Sequence, residues 1–159
     1  METGDIDGDG DLDILTAGYG YGLRVFTNNG NRSFTPAVNT LYDTDRFLLA
    51  EDFNGDDAAD LIISDLADAI HVRLNDGTGN FGDPVIHVTG ARTPREAVVF
   101  DVNADGRKDV AIVNADIGTF ALQSNNITIM TGNDDGSFQA PYVVPGERHN
   151  WQIAAGNFD

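Results

Sequence analysis

The chain has 159 residues, 41% of them hydrophobic, and a formal net charge of −17 from 26 acidic and nine basic side chains. This length is enough for one domain with its own core. The acidic balance argues against a nucleic-acid or anionic-membrane binder, which needs basic patches, and the absence of cysteine excludes disulfides and thiolate metal sites. No apolar run is long enough for membrane insertion, and the opening METGDIDGDGD lacks the basic and apolar regions of a signal peptide.

Three segments of the same pattern recur along the chain and align without gaps. They are DIDGDGDLDILTA from Asp5, DFNGDDAADLIIS from Asp52 and DVNADGRKDVAIV from Asp101, with starts 47 and 49 residues apart. A fourth copy begins near the C-terminus, where Asn157 and Asp159 stand at its first and third positions. A period of about fifty residues predicts a repeat architecture.

Within each repeat the predicted elements follow a fixed order. An apolar first strand (FLLAEDF, EAVVFDV and, at residues 151–158, WQIAAGNF) precedes the acidic segment, and a second strand (DILTA, DLIIS, DVAIV) follows it. A third, alternating strand ends in a Gly-containing turn, and a Phe–Pro element introduces a fourth strand. The first copy is expected to lack its opening strand. The in-phase phenylalanines are expected to pack between repeats: Phe34, Phe81 and Phe138.

Four short strands per repeat predict an all-β fold of propeller-type blades, each made of four antiparallel strands. The chain should contain about three blades, at approximately 1–45, 46–94 and 95–148, and the start of a further blade at 149–159. It is therefore expected to be a partial propeller or half of an oligomeric one. In the second case two copies would join head to tail, each inserting its C-terminal strand into the partner's first blade.

Each acidic segment is predicted to be a calcium-binding loop. Counted from the first Asp, positions 1, 3, 5 and 9 are Asp or Asn in all three copies. Calcium is a hard cation that takes about six to eight oxygen ligands, often from one flexible loop. Position 7 varies, as expected of a residue that offers only its backbone carbonyl. With one Ca²⁺ per loop and about three ions in all, the predicted ligands are Asp5, Asp7, Asp9, Asp11 and Asp13; Asp52, Asn54, Asp56, Ala58 and Asp60; and Asp101, Asn103, Asp105, Arg107 and Asp109.

Two further positions refine this prediction. Position 6, occupied by Gly10, Asp57 and Gly106, should adopt a positive φ, which Gly permits and Asp tolerates. Position 9 is expected to be the bidentate ligand, because the Glu that an EF-hand needs at position 12 is missing from every copy. The alternative for these loops is a solvated Asx-turn, which forms without metal. Three loops in register favour calcium over that alternative.

The run D-x-[DN]-x-D-G-x-x-D-[LIV], the strand NITIMTGN and the segment DGSFQAPY resemble FG-GAP/VCBS repeats. These are the calcium-loop β-propeller blades of integrin α-chains and of many bacterial secreted proteins. The resemblance covers residues 4–159. It implies an extracellular or cell-envelope setting with abundant calcium, a role in adhesion, ligand recognition or as an accessory module, and no catalysis by the loops.

The predicted function is a non-enzymatic, calcium-binding recognition or adhesion scaffold of a secreted or surface protein, with an unidentified protein or glycan ligand. One alternative is a lectin module, which needs an exposed aromatic and polar pocket repeated on one face. The other is an accessory segment of a secreted hydrolase or lyase, which needs a catalytic cluster outside the loops. The aromatic candidates for stacking on sugar are Tyr19, Tyr21, Tyr42, Tyr142 and Trp151. The histidines, which lie in no recognisable catalytic motif, are His71, His87 and His149.

Overall fold

A computed structural model describes residues 1–18, 22–38, 48–65, 67–115, 125–146 and 152–156. The regular structure of these residues is all β-strand. Within the same ranges no helix is long and apolar enough to span a bilayer. The predicted all-β class is confirmed.

The strands of the described ranges form three antiparallel sheets of four strands each, and in every sheet the strands are adjacent in chain order. Blade 1 consists of β1 (Glu2–Gly4), β2 (Asp13–Gly18), β3 (Gly22–Asn28) and β4 (Phe34–Val38). Blade 2 consists of β5 (Leu48–Glu51), β6 (Asp60–Ser64), β7 (Ala69–Arg73) and β8 (Val85–Val88). Blade 3 consists of β9 (Pro94–Phe100), β10 (Asp109–Ala115), β11 (Asn125–Met130) and β12 (Tyr142–Val144). The sheets do not close into a ring, and the prediction of four-stranded propeller-type blades is confirmed.

The first blade has an opening strand that the sequence analysis did not expect. β1 pairs antiparallel with the start of β2, from Glu2 opposite Leu15 to Gly4 opposite Asp13. A side chain at Gly4 would meet the Cβ of Ala59 in blade 2 at 2.9 Å, so the strand packs closely without an apolar side chain there. The expectation that the first copy lacks this strand was therefore wrong. The position beside β2, where a strand from a second copy was expected to insert, is occupied by β1.

The predicted first strand of a further blade, at residues 151–158, is not formed by its described part. Residues 152–156 are not assigned to a strand. Ala155 instead lines a pocket of about 260 Å³ together with residues of the first strands of all three blades.

The side chains of β6 alternate between two cores on opposite faces of blade 2. Leu61 and Ile63 pack with blade 1, whereas Ile62 packs with blade 3. Successive strand residues point to opposite faces, so every position of β6 is buried. The continuous apolar run DLIIS is therefore the signature of a strand covered on both faces.

The phenylalanines of the second and third Phe–Pro elements pack toward the preceding blade. Phe138 is 7% exposed and lies edge-on to Phe53 of blade 2, with ring centroids 5.8 Å apart. Phe81 packs against the core that blade 2 shares with blade 1. Phe34 is 43% exposed and belongs to neither of the two inter-blade cores of the described residues. The prediction of inter-blade packing is confirmed for Phe81 and Phe138 and was wrong for Phe34.

Candidate metal centres

Loop 1 (residues 5–13), loop 2 (52–60) and loop 3 (101–109) each join the first and second strands of a blade. In all three, the position-1 carboxylate accepts backbone N–H groups from its own loop. Asp5 accepts from Gly8 at 2.8 Å and from Gly10 at 3.0 Å. Asp52 accepts from Gly55 and Asp57 at the same two positions, whereas Asp101 accepts from Asp105 at position 5 and Gly106 at position 6. Position 1 therefore closes the turn through hydrogen bonds alone.

Two positions in every loop have a left-handed backbone. Position 6 has φ values of 89°, 69° and 84° at Gly10, Asp57 and Gly106, which confirms the predicted positive φ. Position 4 has φ values of 78°, 80° and 59° at Gly8, Gly55 and Ala104. A side chain in this region costs about 1–2 kcal/mol. Loop 1 avoids that cost, whereas loop 2 incurs it at Asp57 and loop 3 at Ala104.

Replacing Ala104 by glycine is expected to stabilise the protein by about 1 kcal/mol, because glycine adopts the left-handed φ without a Cβ clash. Ala111→Gly is the matched control, since Ala111 is buried in β10 and its substitution should destabilise by about 1 kcal/mol. Urea unfolding at one fixed calcium concentration measures both changes. A loss of stability in Ala104→Gly would contradict strain at position 4.

The position-9 Asp is the most deeply buried residue of each loop. Asp13, Asp60 and Asp109 are each 0% exposed. Asp13 Oδ2 accepts the N–H of Ile6 inside the loop at 2.9 Å, and Oδ1 accepts the N–H of Asn28 at the end of β3 at 2.8 Å. The equivalent donors are Phe53 and Asn75 to Asp60, and Val102 and Gly132 to Asp109. Each buried carboxylate thus ties its loop to the turn that follows the third strand.

The role of the position-9 carboxylate as an acceptor for backbone N–H groups was not predicted from the sequence. An Asp directly before an apolar strand fits both a metal ligand and an acceptor for backbone N–H groups. The available signal was the order of loop and turn in the repeat: the donor follows the third strand in each blade, 15 positions after Asp13 and Asp60 and 23 positions after Asp109. Each carboxylate oxygen has a second lone pair, so metal ligation by position 9 stays a prediction.

Asp109→Asn is expected to destabilise the protein by about 2–4 kcal/mol, because the amide NH₂ would face a buried backbone N–H and leave it unpaired. Asp83→Asn, at an exposed position, removes the same charge and should change stability by no more than about 0.5 kcal/mol. Unfolding in EDTA isolates the hydrogen-bonding effect from lost metal binding. Equal changes in the two variants would show that the tie between loop and turn carries no stability.

Loop 1 brings three carboxylates to one point. An oxygen from each of Asp5, Asp7 and Asp13 lies within 4.8 Å of the others. Asp7 Oδ1 is buried and has no hydrogen-bond donor. Desolvation, followed by the charges of Asp13 and Asp9, raises the pKa of Asp7. A divalent cation here would offset the repulsion and give this oxygen a partner, so the donor set fits calcium.

Position 3 is an amide in the other two loops, and this changes the local contacts. Asn54 Nδ2 donates to Asp56 Oδ2 at 2.8 Å, and Asn103 Nδ2 donates to Asp105 Oδ2 at 2.9 Å. Positions 3 and 5 are therefore joined by a hydrogen bond in loops 2 and 3. Carboxylates also lie close together in loop 2. The pKa of Asp60 is raised, mainly by desolvation and then by the charges of Asp56 and Asp52.

Position 7 uses its backbone in the same way in all three loops. The N–H groups of Asp11, Ala58 and Arg107 donate to Oδ1 of the position-5 Asp at 2.8, 2.9 and 2.9 Å. This contact explains why unlike side chains share the position, and ligation by its carbonyl stays a prediction. Arg107 adds a side-chain contact, because its guanidinium donates to Asp105 at 2.7 Å and to Asp134 at 2.6 Å.

Each of the first two loops also contacts the turn of the next blade. Asn75 Nδ2 donates to the carbonyl of Ile6 in loop 1 at 2.9 Å, and this contact is buried. Gly136, in the turn after β11, lies so close to Asn54 of loop 2 that a Cβ there would stand 3.3 Å from the Asn54 Cβ. A crevice of about 250 Å³ separates loops 2 and 3 and is lined by both.

Several candidates outside the loops take other positions. His71 Nε2 lies 3.7 Å from an Asp65 oxygen, and His87 packs edge-on against Phe138, where desolvation lowers its pKa. Tyr142 is 69% exposed. The remaining candidates lie outside the described residues: Tyr19, Tyr21, Tyr42, His149, Trp151, Asn157 and Asp159.

Comparison with known proteins agrees with this repeat geometry. A model of the FG-GAP-like repeat matches residues 5–50 and 52–112, which is more than half of the chain. The matched segments contain all three loops. No curated protein matches the sequence.

Proposed function

The chain belongs to the FG-GAP-like repeat family, and from that premise we propose that each of its three loops binds one calcium ion. The protein would serve as a non-catalytic recognition or adhesion scaffold of a secreted or cell-surface protein. Membership of the family supports a repeat module. Calcium binding is supported by the geometry of the loops.

The observation that carries the proposal is the carboxylate cluster of loop 1. Its three converging oxygens repel one another at short range, and the buried Asp7 Oδ1 has no donor. Solvated Asx-turns would leave such oxygens in water. A buried acceptor beside two like charges is instead the arrangement that a hard cation relieves.

In each loop the side-chain oxygens at positions 1, 3, 5 and 9, together with the position-7 carbonyl, would bind the ion. Calcium would supply positive charge that the loop lacks, and three ions would change the formal charge of the chain from −17 to −11. Because the loop joins the first two strands and position 9 reaches the turn after the third, occupancy would stabilise three strands of a blade together. Metal affinity then contributes to folding free energy.

Calcium loops of extracellular modules are filled because free calcium is high outside the cell. That argument supports an extracellular or envelope location. The ligand would be a protein or a glycan. Binding to a glycan array in calcium, with EDTA-treated protein as the control, distinguishes them, and a calcium-dependent glycan signal would favour the lectin alternative.

Calcium is expected to raise the melting temperature. Each site adds about 2.7 kcal/mol when free calcium is 100-fold above its Kd, which corresponds to roughly 5–10 °C for a chain of this size. Calorimetric melting in excess calcium and in EDTA measures the shift. Equal melting temperatures, together with no heat of binding in a calcium titration, would contradict the proposal.

Asp7→Asn should act in opposite directions with and without metal. In EDTA at neutral pH it should stabilise the protein, because it removes a carboxylate whose folded-state pKa is raised. The group is protonated in both states below its ordinary pKa of 3.8, so the gain should vanish in acid. In calcium the variant should be less stable than wild type, because a charged ligand is lost.

Asp83→Asn is the control, since it removes one exposed carboxylate outside the loops. It should shift the melting temperature by the same small amount in calcium and in EDTA. If Asp7→Asn gave the same result as Asp83→Asn in both solutions, loop 1 would not be a calcium site.

A further inference from the structure

The three loops share one backbone design but differ in charge at position 7. That position is Asp11 in loop 1, Ala58 in loop 2 and Arg107 in loop 3, so its formal charge runs from −1 through 0 to +1. In loop 3 the guanidinium bridges an acid of the loop and an acid of the turn that follows β11. Arg107 Nη1 donates to Asp105 Oδ2 at 2.7 Å, and Nε donates to Asp134 Oδ1 at 2.6 Å.

The contacts of Asp105 leave little acceptor capacity on its Oδ2. This oxygen accepts from Asn103 Nδ2 at 2.9 Å and from Arg107 Nη1 at 2.7 Å. A carboxylate oxygen has two lone pairs, so both are engaged. In loop 2 the equivalent oxygen of Asp56 accepts from Asn54 Nδ2, and Ala58 has no side-chain donor to add. A metal ion that uses Asp105 Oδ2 must displace a partner of that oxygen.

We propose that Arg107 is a resident cation of loop 3, which offsets part of the negative charge of the loop without metal and makes it the weakest of the three calcium sites. This inference rests on the proposed calcium binding. The loops would then fill in order of charge, with loop 3 last. Arg107 sets affinity through its side chain, and its backbone carbonyl stays available as a ligand.

The effect depends on charge placement rather than on a strong ion pair. The side chains of Arg107, Asp105 and Asp134 are 39%, 28% and 86% exposed, and exposed pairs add little to stability. A divalent ion that enters the loop nevertheless meets a positive charge only a few ångströms away. In water-like surroundings that repulsion lowers calcium affinity roughly tenfold.

The test compares Arg107→Gln with Arg92→Gln by calorimetric titration of the full chain with calcium. Arg92 is exposed in the connection between β8 and β9, at the opposite end of the blades from the loops, so its substitution changes the net charge equally. Wild type should bind two ions tightly and a third more weakly. Arg107→Gln should strengthen the third site roughly tenfold, and Arg92→Gln should not. Asp101→Asn in the Arg107→Gln background should remove the strengthened site, which assigns it to loop 3.

Two further measurements separate charge from fold. Arg107→Lys keeps the charge and should keep the third site weak. In EDTA, Arg107→Gln should lower the melting temperature by roughly 1–4 °C more than Arg92→Gln, because loop 3 then loses its counter-charge.

The outcomes distinguish this inference from the proposed function. If no variant takes up calcium, the proposed function fails, and the inference fails with it. If wild type binds calcium and Arg107→Gln leaves every affinity unchanged relative to Arg92→Gln, the inference alone is overturned. A third site that strengthens in Arg107→Lys as much as in Arg107→Gln also overturns it.

Discussion

The buried position-9 carboxylate is the interaction on which each blade depends. A charge with no exposed surface is tolerated only when its oxygens are satisfied, and in every blade two backbone N–H groups satisfy them. One donor lies in the acidic loop and the other ends the third strand, so a single side chain fixes the loop, the second strand and the turn together. Asp13, Asp60 and Asp109 therefore set the geometry of the loops through hydrogen bonds within the protein.

This arrangement gathers the carboxylates of loop 1 at one point, where they repel one another. Asp13 holds one face of the loop 1 cluster while Asp5 is held by its own backbone donors, and Asp7 is left between them with an unpartnered oxygen. Because the ligands are positioned in advance, little ordering remains to oppose binding. The same hydrogen bonds that bring the acids together thus create the repulsion that we propose a cation relieves.

The repeat pattern predicted the features that depend on residues close in sequence. It failed for the features that depend on contacts with another strand or blade. Periodic Asp, Gly and apolar residues specify the loops, the left-handed position 6 and the four strands, since each follows from residues close in sequence. The exposure of Phe34 and the unformed strand at 152–156 could not be predicted this way, because burial and strand pairing depend on contacts with other strands and blades, which a local pattern does not specify. The short β1 was missed for a related reason: backbone pairing, not side-chain pattern, adds it to the sheet.

Alignment of repeats also conceals the way in which the loops differ. Position 7 varies among the loops, whereas positions 1, 3, 5 and 9 are always Asp or Asn. In loop 3, however, the guanidinium of Arg107 contacts Asp105, and loop 1 has the carboxylate of Asp11 at the same position. Moreover, loop 1 touches the turn at Asn75 and loop 2 lies against Gly136, so each loop is also part of the boundary with the next blade. Loop 3 reaches blade 2 as well, because Lys108 pairs with Glu51 at the end of β5 and a crevice is lined by both loops 2 and 3. Each loop therefore contributes to a boundary between blades, whatever its charge at position 7.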